Sequence, residues 1–289
     1  MDALDFVQLR PLMDRTSGRP EISVGLIDGP ILLAHPDLSS ETIQEVPGKL
    51  RGTCAFADSL ACLHGTFVAG MLAARRGSTA PAICPGCTFL VRPIFSETGT
   101  ANGDMPSATS EELADAIVDC VKSGARVLNL SAALAQPSSK GERELQQALD
   151  HAASRSVIAV AAAGNQGTLG TSPITRHPSV IPVAACDLQG RPLSQSNLGS
   201  TIGKRGLMAP GEGITSLGTN GKPHTLGGTS AAAPFATGAI ALLWSEFPRA
   251  QAGQIKVAIT HAGSMRRRAI APPLLDAWAA YQIMNSIQA

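Results

Sequence analysis

Short, largely apolar runs alternate along this chain with longer stretches in which apolar residues recur every three or four positions. The run 22–27 (ISVGLI) lies between Pro20 and the turn-forming Asp28-Gly29-Pro30, which predicts a buried strand. Runs at 89–94, 126–130, 157–162 and 180–185 predict further strands. Between the runs the period changes. Residues 64–74 read as a helix that begins at His64. Thr109 and Glu112 have the spacing of a capping box. Leu113, Ala116, Ile117, Cys120 and Val121 then mark one helix face, and Gly124 follows where a terminating glycine belongs. Helices are also predicted around 142–154, 230–247, 251–261 and 275–287.

Strands that are apolar on both faces and alternate with helices imply a fold class. It is α/β, a three-layer arrangement with a mostly parallel sheet and helices on both faces. Sites in such sheets lie at the carboxyl ends of the strands. No internal repeat and no linker divides the sequence, so residues 1–289 read as one domain, with 1–20 as an N-terminal extension.

Composition narrows the picture. With only 3% aromatic residues, Ala, Val, Leu and Ile must fill the core. A net charge of +1 gives no electrostatic footprint for nucleic acid or for an anionic membrane surface. The longest apolar candidate for a membrane span, 231–244, is interrupted by Pro234 and Thr237, so no span is expected. The charged N-terminal stretch lacks the apolar core of a secretory signal, and the chain reads as cytoplasmic.

Of the six cysteines, Cys84 and Cys87 have the C-x-x-C spacing of a redox pair or half a zinc site, but no second half follows. They precede a strand-like run instead of opening a helix. A local turn or disulfide, two free thiols, and metal or redox chemistry all remain open. Cys54 and Cys62 could also pair, closing a short loop beside His64. Cys120 and Cys186 sit in apolar runs and read as buried thiols.

Four segments carry chemistry, each at a strand end or a helix start: Asp28 in Gly-Leu-Ile-Asp-Gly, His64 in His-Gly-Thr, Asn165 in Ala-Ala-Gly-Asn, and Ser230 in Gly-Gly-Thr-Ser-Ala-Ala-Ala-Pro. A serine hydroxyl is a poor nucleophile until a base takes its proton. An imidazole suits that task near neutral pH, and a buried carboxylate fixes its tautomer and stabilises the imidazolium. A serine at a helix N-terminus also offers its own backbone N–H to a developing oxyanion. Each residue alone has a bland reading as a turn former, an N-cap or a helix histidine. The four together, in this order, point to nucleophilic catalysis.

The order Asp, His, Ser with these neighbours resembles a subtilisin-type serine protease, or subtilase, over residues 22–280. The segments Asp28-Gly29-Pro30, Cys62-Leu63-His64-Gly65-Thr66, Ser196-Asn197-Leu198-Gly199 and Leu207-Met208-Ala209-Pro210-Gly211-Glu212 are most similar to the cyanobactin-maturation branch, whose members remove the leader of a ribosomally made precursor peptide. The resemblance implies a triad of Asp28, His64 and Ser230, with Asn165 as the side-chain donor of the oxyanion hole. It implies that Ser131, Ala132 and Ala133 pair with an extended substrate, with a second edge near 107–109. Ala162, Ala163 and Gly164 would wall an uncharged first specificity pocket. No metal and no cofactor are implied.

Three positions depart from the usual subtilase pattern: Gly29 stands where a Ser or Thr is common, Phe67 where a second His is common, and Ala231 where a Met or Phe is common. The loop 75–83 has no Asp, Asn or Glu, so the tight calcium site of secreted subtilases is not expected. His35 and Asp37 read as turn residues. His151, His177, His224 and His261 read as packing or surface residues, and Arg266-Arg267-Arg268 as a solvated turn.

The expected function is therefore a serine endopeptidase acting on a peptide or precursor peptide. General intracellular proteolysis, a catalytically inactive peptide-binding module and a macrocyclase are the competing readings. The last is disfavoured because no long insertion lies between His64 and Phe89.

Overall fold

A computed structural model of the protein describes residues 2–39, 41–98, 107–131, 141–262 and 270–288. The chain enters through two short helices, α1 (Ala3–Phe6) and α2 (Arg10–Arg15). It then forms β1 (Ser23–Ile27), β2 (Ile43–Glu45), α3 (Leu60–Ala73), β3 (Thr88–Val91), α4 (Ser110–Lys122), β4 (Val127–Leu130), α5 (Glu142–Ser154), β5 (Ile158–Ala162) and β6 (Val180–Cys186). After α6 (Ser200–Arg205) and β7 (Leu207–Pro210) comes a hairpin of β8 (Ile214–Ser216) and β9 (His224–Leu226). Helices α7 (Thr229–Glu246), α8 (Ala252–His261) and α9 (Ala277–Gln288) follow.

Seven strands form one sheet in the order β2-β3-β1-β4-β5-β6-β7, and every pairing in it is parallel. The chain builds β2 and β3 on one side of β1, then crosses to β4 on the other. The switch in strand order therefore falls between β1 and β4, where open parallel sheets leave a crevice at their carboxyl edge. The register places Ile27 opposite Leu130, so the next residues, Asp28 and Ser131, emerge side by side at that edge.

The strands alternate between two cores. Val24, Leu26, Val127, Val160 and Val183 face the layer that holds α3, α7 and α8. Ile27, Leu128, Leu130, Ala159 and Ala161 face α4 and α5. Helix α4 lies close to β1 because Gly25 has no side chain: a Cβ there would come 2.7 Å from a Leu128 methyl and 3.2 Å from Cys120. Its predicted capping box is present, with Glu112 N–H donating to Thr109 Oγ1 at 3.1 Å and Thr109 N–H donating to Glu112 Oε2 at 2.9 Å. Such a cap stabilises a helix end by about 1 kcal/mol.

Helices α3 and α7 are instead buried on nearly every side. That uniform burial explains one correction. Helix α3 starts at Leu60, not at His64, because Ser59 caps it by accepting from Cys62 N–H at 3.1 Å. Residues 60–63 (LACL) carry no polar face that could have marked the extra turn. The strands β2, β7, β8 and β9 and the short helices α1, α2 and α6 were likewise too brief to show a period.

The cysteines divide. Cys54 and Cys62 form a disulfide with a Cα–Cα distance of 5.6 Å. Cys84, Cys87, Cys120 and Cys186 are free and buried. Cys84 and Cys87 sit in a tight turn closed by Cys87 N–H donating to Cys84 C=O at 3.0 Å. Among the described residues, Cys54, Cys62 and Glu97 form a cluster of metal-ligand types, but the disulfide occupies both sulfurs. Glu97 is itself engaged, accepting from the backbone N–H groups of Ala55 and Phe56 and from the Ser59 hydroxyl.

In the loop 75–83 the Arg76 guanidinium gathers three backbone carbonyls. It donates to Met13, to Thr16 at 2.8 Å and to Ile83 at 3.1 Å, tying the N-terminal segment to the body of the protein. His35 and Asp37 form a turn, as expected, with Asp37 N–H donating to His35 Nδ1. Among the described residues, no helix is long and apolar enough to cross a membrane. The predicted arginine turn at 266–268, and Ala132 and Ala133, lie outside the described residues.

Candidate active site

Asp28 leaves the carboxyl end of β1, and His64 projects from the second turn of α3. The two elements meet backbone to backbone. A Cβ on Gly29 would come 2.0 Å from the Ala61 carbonyl oxygen, and one on Gly65 would come 2.3 Å from that of Pro30. This explains why a hydroxyl residue cannot follow Asp28 here: the start of α3 occupies its space. The close approach delivers His64 Nδ1 to Asp28 Oδ1 at 2.6 Å, and the same oxygen accepts from Gly29 N–H at 2.6 Å. Asp28 Oδ2 is buried and has no hydrogen-bond partner among the described residues.

The imidazole and the carboxylate are both almost wholly buried, with side chains 9% and 2% exposed. Burial opposes a charged imidazolium. The negative charge of Asp28 and the hydrogen bond to it outweigh that effect, so the His64 pKa lies above its ordinary 6.5. Because a carboxylate only accepts, Nδ1 carries the proton and Nε2 is the basic nitrogen when the ring is neutral.

Ser230 stands in the first turn of α7, behind an N-cap glycine, Gly228, at φ +94°. Its hydroxyl donates to the Ser131 carbonyl at 3.3 Å. No hydrogen bond joins it to His64. Pro234 lacks the N–H that would otherwise bond the Ser230 carbonyl within the helix. Thr229 N–H is taken by Asn165 Oδ1, and the Ala231 and Ala232 N–H groups donate to the Gly228 carbonyl, so among the described residues the Ser230 N–H is the first-turn donor left open to an anion.

Asn165 lies three residues beyond β5 and is exposed. Its Oδ1 accepts from Thr229 N–H at 2.8 Å and from the Thr229 hydroxyl at 3.0 Å, which leaves its NH2 group turned away from Thr229 as a donor. Thr229 in turn accepts from Gly164 N–H at 3.1 Å. A Cβ at Gly228 would stand 2.8–3.0 Å from the Asn165 amide atoms, so the glycine is what lets Asn165 settle beside Ser230.

Beneath Ser131 runs a buried polar chain. Thr237 of α7 donates to Asn129 Oδ1 at 2.8 Å, and Asn129 Nδ2 donates to Ser131 Oγ at 2.7 Å. Ala162 and Ala163 are buried and Gly164 is half-buried, so the floor between β5 and Asn165 carries no charge and little bulk. Phe67 packs inside α3, edge-on to His224 with ring centroids 6.4 Å apart.

The structure thus brings Asp28 to His64, and Ser230 to Ser131 and, through Thr229, to Asn165. Sequence reasoning passed over Thr229 and Asn129. Asn129 was visible as a lone amide in the otherwise apolar stretch 127–130, and such a residue when buried needs a partner.

Residues 19–274 match the Subtilase family. Subtilisin DY of Bacillus licheniformis is 31% identical over 245 residues, which is 81% of each chain. The chain spans 58% of the length of subtilisin J of Geobacillus stearothermophilus and 54% of that of the thermophilic serine proteinase of Bacillus sp. (strain AK1). Among solved structures, the protease domain of PatA superposes with a TM-score of 0.83 at 30% identity, covering 93% of this chain and 97% of that one. The prenylagaramide maturation protease PagA superposes with a TM-score of 0.82 at 27% identity, covering 96% and 98%. The sheet order, the motif positions and these matches agree, and the chain belongs to the subtilase family of serine proteases.

Proposed function

We propose that the protein is a serine endopeptidase that removes the leader from a ribosomally made precursor peptide. The observations that support this reading are the Asp28–His64 hydrogen bond at the carboxyl end of β1 and the Ser230 hydroxyl on the Ser131 carbonyl at the end of the neighbouring strand β4. In this reading His64 Nε2 takes the Ser230 proton as Oγ attacks the scissile carbonyl. The oxyanion accepts from Asn165 Nδ2 and the Ser230 N–H. His64 then gives the proton to the leaving amine, and the acyl-enzyme remains. Water, deprotonated by His64, hydrolyses that ester and frees Ser230. Asp28 holds the ring and stabilises the imidazolium throughout.

The substrate would run extended beside β4, starting at Ser131 and continuing through Ala132 and Ala133, with its first side chain over Ala162, Ala163 and Gly164. Small, neutral walls support an apolar or small side chain there. The similarity to PatA and PagA, both maturation proteases by name, supports a precursor peptide as substrate.

Incubation with a short leader-bearing precursor, followed by mass spectrometry, tests the reading. One dominant cut, with the two linear products summing to substrate plus water, is expected. Broad degradation of casein at a similar rate would favour general proteolysis. A core product lacking that water would favour cyclisation.

A further inference from the structure

We infer that Asn197 is a positioning residue that holds the loop 163–168, and with it Asn165, in the conformation that aims the Asn165 amide at the oxyanion. The inference rests on the function proposed above. Asn165 is exposed, and its own side chain is fixed at one point, Thr229. A single anchor through a carbonyl oxygen leaves the loop free to hinge unless its other side is held.

Asn197 supplies that other side. Its Oδ1 accepts from Gln166 N–H, Thr168 N–H and the Thr168 hydroxyl, each at 3.1 Å. Its Nδ2 donates to the Ala163 carbonyl at 3.2 Å and to Gln166 Oε1 at 2.6 Å. Its backbone N–H donates to the Gly164 carbonyl at 2.9 Å. The residues bonded to it thus flank Asn165 on both sides, and the amide uses its acceptor and its donors at once.

The fit is steric as well. Gly164 has φ +104°, and a Cβ on it would come 2.3 Å from Asn197 Nδ2. Gly167 N–H donating to Gln195 C=O, and Leu198 N–H donating to Thr168 C=O, bind the same two segments on either side of the amide. A shift of the loop by an ångström would move the donor off the oxyanion, a displacement large enough to lower turnover on the order of 10²-fold.

The test is a double-mutant cycle on cleavage of one peptide, with Asn197→Ala, Asn165→Ala and the double variant. If Asn197 acts through Asn165, Asn197→Ala lowers kcat about 10–100-fold with KM changed less than about threefold, and costs less than about threefold more once Asn165 is already Ala. Equal losses in both backgrounds, or a lower Tm with unchanged kcat, would overturn the inference. Should Asn197→Ala not fold, Thr168→Val and Gln166→Ala each remove part of the clamp and enter the same cycle.

A crystal structure of Asn197→Ala reads the positioning without any activity. Displacement of the loop and loss of the 2.8 Å contact from Thr229 to Asn165 are expected, and retention of both would overturn the inference. If wild type cleaves and Asn165→Ala is impaired while Asn197→Ala is silent, this inference alone fails. If wild type cleaves nothing, the proposed function fails and takes this inference with it.

Discussion

His64 donates from Nδ1 to Oδ1 of Asp28 at 2.6 Å, in a region where both side chains are almost wholly buried. The pair holds the His64 proton more tightly than an exposed imidazole would. Two consequences of pH follow. As the proposed base, His64 must be neutral, so the acidic limb of kcat/KM should lie above 6.5 and move to lower pH in Asp28→Asn, where kcat should fall by as much as about 10⁴. A folded-state pKa raised above the unfolded value adds stability that is fully present below the unfolded pKa and is lost as pH rises through the folded one. Thermal melts should therefore show an increment below about 6.5 that declines at higher pH and is absent from Asp28→Asn. An acidic limb below 6.5 would contradict the pairing.

Asn165 sits beside Ser230 only because Gly228 has no side chain. Gly228→Ala should fold, since the neighbouring amide can swing outward, yet lose the proposed oxyanion donor. Asn165→Ala should lower kcat by about 10²–10³ with little effect on KM, a magnitude that comes from subtilisin itself. Gly228→Ala should approach the same loss, with some further destabilisation from alanine at φ +94°. Steady-state kinetics on one peptide would check both, and full activity in Gly228→Ala would contradict the placement of Asn165.

Much of this site was legible in the sequence because its residues stand at punctuation marks. Asp28 ends an apolar run, and Ser230 follows paired glycines. The parallel sheet was legible because strands such as 180–185 are apolar on both faces, and α4 and α5 because each keeps one polar side. The start of α3 was not, since a helix buried all round has no polar face to mark its ends. Nor was the role of Asn197, whose partners lie about thirty residues away in the chain and are brought to it by the packing of β6 beside β5. A hydrogen-bond hub of that kind has no period and no local signature.

The Cys54–Cys62 disulfide closes a loop just before His64 and ties it to the segment that pairs with Ile31. Closing a loop of this length stabilises the folded state by about 2–3 kcal/mol. A Cys54→Ser, Cys62→Ser variant, or wild type held in a dithiol reductant, should unfold at lower denaturant by that amount. In a reducing cytosol the bond would open and the increment would be absent. Equal denaturation midpoints for oxidised and reduced protein would contradict a structural role for the bond.

Arg76 holds three carbonyls from two segments, and its head group is partly open to solvent. Arg76→Met should cost about 1–2 kcal/mol, less than three buried charged hydrogen bonds would give. Arg76→Lys should recover only part of the loss, because an ammonium lacks the planar fork that spans the three oxygens. Limited proteolysis should release the N-terminal segment faster in Arg76→Met, and an unchanged cutting rate would contradict the clamp.

The most direct measurement is fluorophosphonate labelling of wild type and Ser230→Ala, read by intact mass and paired with cleavage of a precursor peptide. One adduct per wild-type chain, mapping to Ser230, is expected, together with loss of both labelling and cleavage in Ser230→Ala. An adduct on Ser230→Ala, or undiminished cleavage by it, would contradict Ser230 as the nucleophile and with it the whole reading of the site.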